Sequence, residues 1–203
     1  MSRTRRELFS AWFGSIRGAA GGRSAASSRG VASLLRPPGA RLPDENFLEA
    51  CTSCGDCIEA CPADALFAVD LGEIKGLPAI DPQRQPCLLC TDVPCIPACP
   101  EEALLPVPSA NQIRLGIARV NPNTCVTFRG EICDRCFQAC PYPHAALMLI
   151  GGKPIVGSGA CTGCGLCEKV CPEHPPAINV IPERHLIPGL RVPKGDEAGN
   201  LAG

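Results

Sequence analysis

Large apolar side chains are scarce in this 203-residue chain, which has six Phe, one Trp (Trp12), one Tyr (Tyr142) and two Met against 21 Gly and 22 Pro. Such a chain buries little hydrocarbon, which excludes an ordinary apolar core as its main source of stability. No apolar run approaches the length of a transmembrane helix. No Ser–His–Asp set, paired-carboxylate site, P-loop or G-x-G-x-x-G appears, so the common hydrolase and nucleotide-binding classes drop out. Lysine is missing from residues 1–41, which hold eight Arg and one Glu, a balance of +7. The remainder holds 11 basic and 19 acidic residues, or −8. An anionic body argues against nucleic acid as a partner. It suits docking onto basic patches of other proteins.

What the chain has in abundance is cysteine. Sixteen occur, and all fall into four groups of four, each followed by proline. The first is Cys51, Cys54, Cys57, Cys61 and the last is Cys161, Cys164, Cys167, Cys171; both read C-x2-C-x2-C-x3-C-P. The two between are looser: Cys87, Cys90, Cys95, Cys99 and Cys125, Cys133, Cys136, Cys140. Cysteines two and three residues apart are too crowded for sixteen to pair as disulfides. Structural zinc uses two C-x2-C pairs per ion and has no need of a third step ending in C-P. Three close thiolates converging on an iron cubane, with the fourth sent to a neighbouring cluster, account for the spacing. All sixteen are therefore candidate ligands, of four 4Fe–4S clusters. Small residues between them (Ser53, Gly55, Gly163, Gly165) would let the backbone approach the clusters closely. Metal-binding free energy would then be folding free energy, and the cluster-free chain is expected to be largely unfolded.

The cysteine groups sit in a longer repeat. Each C-P is followed by a small residue and an aliphatic one: Ala65-Leu66, Ala103-Leu104, Ala146-Leu147 and Ala177-Ile178. Short β-prone runs precede three groups, at Pro78–Ile80, Ile117–Val120 and Pro154–Val156. Ala146–Ile150, Gly151-Gly152 and Pro154–Val156 read as a hairpin. Asp44–Ala50 reads as a short helix with an acidic N-cap. The fold class expected is α+β: tandem, nested bacterial-ferredoxin-like units of short strands and helices around four clusters. The regular groups lie outermost, suggesting an outer unit (44–80 plus 145–185) with an inner one (81–144) inserted. On that scheme Cys51, Cys54 and Cys57 share a cluster with Cys171, and Cys161, Cys164 and Cys167 with Cys61. The inner clusters take Cys87, Cys90, Cys95 with Cys140, and Cys125, Cys133, Cys136 with Cys99. A sequential pairing, first group with second and third with fourth, is the competing arrangement.

Three stretches carry a closer likeness: Leu35–Ala40, Pro86–Cys95 and Cys125–Cys136. With Ala160–Cys171 and Pro176–Ile181, they resemble the MauM/NapG family of ferredoxin-type proteins over roughly residues 35–182. The resemblance implies an iron–sulfur electron carrier subunit without a substrate site of its own. It would pass single electrons from a membrane quinol-oxidising partner to a terminal oxidoreductase, in periplasmic nitrate reduction or methylamine oxidation. A different class of function also fits, an accessory protein assisting assembly of a partner metalloenzyme.

Residues 1–22 read either as a retained basic amphipathic helix (Leu8, Phe9, Trp12, Phe13, Ile16) or as a twin-arginine export signal. Arg17 interrupts the apolar stretch such a signal needs. The corresponding locations are cytoplasmic with peripheral membrane contact, or periplasmic. Residues 23–43 read as a flexible linker and 186–203 as a tail. His144 and His174, just after C-P turns, read as structural or solvent-exposed, since each group already has four cysteines. Asp134 and Arg135 read as tuning a cluster's surroundings or docking a partner.

Overall fold

The computed structural model describes residues 33–185. The readings of residues 1–22 and of the tail lie outside them, as does the linker reading for 23–32. For 33–43 that reading is corrected, since Leu34 and Leu35 are 1% and 0% exposed and Leu35 pairs with Ile80. The order of elements is α1 (Asp44–Ala50), α2 (Asp56–Glu59), β1 (Leu66–Leu71), β2 (Ile74–Ile80), β3 (Gly116–Val120), α3 (Arg135–Gln138), β4 (Leu147–Ile150), β5 (Lys153–Val156), α4 (Leu166–Lys169) and β6 (Ile178–Pro182). The strands form three antiparallel pairs, β1–β2, β3–β6 and β4–β5. Among the described residues, no helix is long and apolar enough to cross a membrane.

The repeat seen in the sequence becomes a repeat in space. Ala65, Leu66, Ala103, Leu104, Ala146, Leu147, Ala177 and Ile178 are all buried, at 1–4% exposure. Leu66, Leu147 and Ile178 each open a strand, and Leu104 makes an isolated bridge with Ala40. Each half is thus one hairpin plus one closing pair. In the second half the closing pair is β3–β6. In the first it shrinks to the Ala40–Leu104 bridge, flanked by Arg41 N–H to Ala103 O and Leu105 N–H to Gly39 O. The β4–β5 turn is Gly151-Gly152 with φ 57° and 77°, a left-handed pair matching the twist of the strands.

The two units are consecutive halves, and the nested arrangement is corrected. After the first and third C-P turns a hairpin of a few residues per strand carries the chain straight to the next cysteine group, with which it forms one half. Closing so short a loop costs less entropy than joining groups a hundred residues apart. One core runs through both halves, with cysteines interleaved among Phe47, Leu66, Ile80, Ile113, Leu147 and Val180.

Asp44 differs from its expected capping role. It lies inside the first turn of α1, whose N-cap is Pro43. Its carboxylate instead accepts two 2.8 Å hydrogen bonds from the Arg36 guanidinium. Arg184 approaches the same carboxylate at 3.9 Å, and Arg36 stacks 5.2 Å from the Phe47 ring centroid. A bidentate pair this sheltered fixes where the entering chain meets α1.

Four cysteine hollows in candidate cluster-binding halves

The sixteen cysteines gather around four hollows, each of about 340–370 Å3 including its open side. Site A is walled by Cys51, Cys54, Cys57 and Cys99. Site B has Cys61, Cys87, Cys90 and Cys95. Site C has Cys140, Cys161, Cys164 and Cys167. Site D has Cys125, Cys133, Cys136 and Cys171. In each, three cysteines come from one group and the fourth from the neighbouring group. Cys61 therefore stands with Cys87 rather than Cys161, and Cys171 with Cys125 rather than Cys51. Likewise Cys99 stands with the first group and Cys140 with the fourth. The cysteine groupings of the nested scheme are corrected: the hollows group the cysteines sequentially.

Local chemistry explains how short segments hold these positions. In the first and fourth groups a left-handed glycine (Gly55, φ 92°; Gly165, φ 87°) turns the chain into a four-residue helix. That helix carries the third cysteine, Cys57 or Cys167, and in the third group α3 carries Cys136 in the same way. The glycines of the last group line the hollow of site C and also meet neighbouring chain. A Cβ on Gly163 would meet the Gly116 backbone at 2.4 Å, and one on Gly165 would meet Pro82 at 2.4 Å. They admit neighbouring protein backbone and proline.

Among the described residues, no three His, Cys, Asp or Glu side chains converge closely enough to hold a single metal ion. Four thiols spaced around a hollow suit a multi-iron cluster better than one tetrahedral zinc. The walls agree: apolar side chains such as Phe47 and Leu104 at A, or Ala118 and Val180 at C, exclude water around the thiols. Backbone amides supply the polar contacts, with Ala177 N–H donating to Cys171 Sγ at 3.2 Å and Ala118 N–H to Cys161 Sγ at 3.5 Å. Such donors stabilise negative charge on ligating sulfur. The donor set and its surroundings fit 4Fe–4S clusters.

Burial raises the thiols, and neighbouring thiols raise several of them further. Cys57, Cys87 and Cys95 are pushed from the ordinary 9.0 up to about 12, and Cys136 to about 11. Burial likewise raises Cys140, Cys164 and Cys167. A raised pKa favours the protonated, cluster-free form. That contribution to a cluster-free fold is complete below pH 9 and disappears as pH rises through about 11–12. Iron must displace those protons, so acid opposes loading. Iron retained after equilibrium dialysis is accordingly expected to fall from pH 8 to pH 6. Retention that rises on acidification would contradict this.

The four sites follow one another in space. Cys57 of site A lies within electrostatic reach of Cys95 of site B. Cys87 of B and Cys164 of C are joined by an N–H···O bond of 3.1 Å. Cys136 of D lies within reach of Cys167 of C. The order is thus A, B, C, D, with B and C innermost. Cys87 and Cys95 of B and Cys161, Cys164 and Cys167 of C are buried, as is Cys57 of A, whereas Cys54 of A is exposed and all four cysteines of D are half-buried.

The joint between halves escaped the sequence reading. Glu168, 1% exposed, accepts hydrogen bonds from Gln83 Nε2 (3.1 Å) and Val180 N–H (2.8 Å). Lys169 Nζ donates to the carbonyls of Gln83 and Arg84, both at 2.8 Å. Glu168 and Lys169 lie between cysteines, where the cluster motif alone explained the segment. His144 is exposed, its ring edge-on to Phe137 at 5.0 Å. His174 is exposed too, and Asp134 accepts a hydrogen bond from Gln138.

Comparison with known proteins agrees with this chemistry. The 4Fe-4S dicluster domain family matches residues 50–103, and the 4Fe-4S binding domain family matches residues 154–175. The methylamine utilization ferredoxin-type protein MauM of Methylorubrum extorquens is 41% identical over 168 residues, covering 77% of this chain and 76% of the relative. MauM of Paracoccus denitrificans is 40% identical over 183 residues, 84% of this chain and 80% of the relative. The ferredoxin-type protein NapG of Escherichia coli is 41% identical over 163 residues, 73% and 70% respectively. No solved structure matches the chain.

Proposed function

Because this chain belongs to the MauM and NapG family of ferredoxin-type proteins, we propose that it relays single electrons through four 4Fe–4S clusters. The donor would be a membrane quinol-oxidising partner and the acceptor a terminal oxidoreductase, of the periplasmic nitrate reductase or methylamine dehydrogenase type. The observation that carries this reading is the linear order of the four cysteine sites, with an exposed cysteine at one end, Cys54 of A, and no buried one at the other, D. Each cluster, when bound, supplies a one-electron couple whose potential depends on hydrogen bonding and solvent exposure. The chain's own residues do the rest. Leu66, Ile80 and Ile113 keep water from site B, and Ala118, Leu147 and Val180 keep it from site C. Cys54 brings site A to the surface, and the half-buried quartet does the same for D. The Cys87–Cys164 backbone bond holds B against C, and the Glu168 and Lys169 contacts hold the halves in register.

The N-terminal arginine-rich segment supports either peripheral membrane attachment on the cytoplasmic side or export to the periplasm. Fractionation of cells producing the full chain separates the two.

The relay is tested by redox titration of the loaded full chain, followed by electron paramagnetic resonance. Four clusters per chain are expected, roughly sixteen irons, with magnetic coupling between neighbours. Clusters that resist reduction at physiological potentials, or that never re-oxidise with a partner, would favour the assembly-factor reading and refute the relay.

A further inference from the structure

The halves differ on one surface. In the first half, one face of the β1–β2 hairpin carries the cross-strand pairs Phe67–Ala79 and Val69–Leu77. Leu34 packs on that face with Phe67 and Ala79, the three being 1%, 8% and 0% exposed. Its neighbour Leu35 anchors the segment on β2, exchanging two 2.9 Å backbone hydrogen bonds with Ile80. An extended aliphatic segment thus seals this hairpin.

Register makes Met148–Ile155 and Ile150–Lys153 the counterparts of those pairs in the second half. Ile150 is 62% and Ile155 42% exposed, and among the described residues β5 pairs with β4 alone. The apolar surface continues into the long loop of the third cysteine group, where Phe128 is exposed and Ile132 wholly so. Lys153 Nζ bridges the two parts, 5.1 Å from the Phe128 ring centroid. The next residue, Pro154, forms the wall of site D.

We propose that this face docks a redox partner protein through an extended aliphatic segment lying across β5, as Leu34 and Leu35 lie across β2. Its identification as a redox partner rests on the electron-transfer reading; the surface itself does not. The first half shows what fits: two adjacent aliphatic residues, one filling the face and one pairing with the strand edge. Charge completes the description. Lys153 replaces Leu77 at the rim, so the guest carries a carboxylate beside its aliphatic pair. Arg129 of the adjoining segment is already paired with Glu131 and Glu173, both at 3.6 Å. Two copies of this face would oppose lysine to lysine. In the chain's own residues 186–203 the charge next to the aliphatics Leu190 and Val192 is Arg191, with Asp196 and Glu197 following only after Lys194. Both are poorer matches than an acidic-flanked partner. Docking there sets the partner against site D.

The test uses the cluster-loaded full chain and a fluorescent peptide, Glu-Ser-Leu-Leu-Glu, read by anisotropy. Saturable binding is expected, weakened at least tenfold by Ile155→Lys or Ile150→Lys and several-fold by Lys153→Glu. Iron content should be unchanged in all three variants. No binding to the native chain, or equal binding to native and Ile155→Lys, overturns the proposal. A dimer in sedimentation that Ile155→Lys abolishes assigns the face to a second copy and also overturns it. Stronger peptide binding after removal of residues 186–203 assigns the face to the tail and overturns it likewise. Peptide binding by a chain whose clusters cannot be reduced would support the surface while refuting the relay.

Discussion

A Cys99→Ala chain is expected to lose the cluster of site A and keep those of C and D. Cys99 belongs to the second group in sequence but walls the hollow of Cys51, Cys54 and Cys57. Its removal leaves three thiolates where a cubane takes four, and about four of roughly sixteen irons should go. Alkylation with mass spectrometry locates the loss: Cys51, Cys54 and Cys57 become reactive, while Cys125, Cys133 and Cys136 stay protected. The converse pattern would restore the nested pairing, in which Cys99 serves the third group. Cys171→Ala is the mirror experiment and should uncover Cys125, Cys133 and Cys136. Some loss at site B is also expected with Cys99→Ala, since Cys95 and Cys57 lie within mutual reach. The wire would thus be cut at its first end.

Gly163→Ala should be among the most damaging substitutions outside the cysteines. Its φ of 71° costs an L-residue about 1–2 kcal/mol. Its Cβ would also lie 2.4 Å from both the N and O of Gly116, a backbone contact that cannot rotate away. Overpacking of this kind adds roughly 1–3 kcal/mol. Together these are a large part of the roughly 5–15 kcal/mol typical of a domain. Gly55→Ala is the control, because Gly55 has φ 92° but nothing within 4 Å of the added Cβ. It should cost only the conformational term of about 1–2 kcal/mol. Thermal unfolding of the loaded variants measures the difference. Equal melting temperatures would show that the approach of β3 to the fourth cysteine loop is not tight.

The hairpin at Gly151-Gly152, the helix Asp44–Ala50 and the buried Ala-Leu pairs were legible because each rests on local rules. Two glycines at a turn, an acidic start to a short helix and a recurring small-aliphatic step are properties of a few adjacent residues. The role of Glu168 was not legible, since its partners Gln83 and Val180 lie 85 and 12 residues away. Asp44 misled for a related reason: a carboxylate at a helix start commonly caps, but a buried arginine eight residues earlier takes it first. Gly163 and Gly165 line site C, but their close approach to Gly116 and Pro82 depends on residues far away in sequence and was not legible.

By itself the sequence determined the chemistry of this protein, because ligand type and spacing act over short stretches of chain. Proline-terminated cysteine groups mark a 4Fe–4S protein whatever the topology around them, in line with the 4Fe-4S families matched at residues 50–103 and 154–175. Tertiary structure alone decided which fourth cysteine completes each site, which sites lie inside and which hairpin face stays open. Those outcomes depend on how the hairpins return the chain and how the two halves pack. The cost of closing short loops favoured consecutive halves, and contacts such as Cys87 with Cys164 placed sites B and C at the centre.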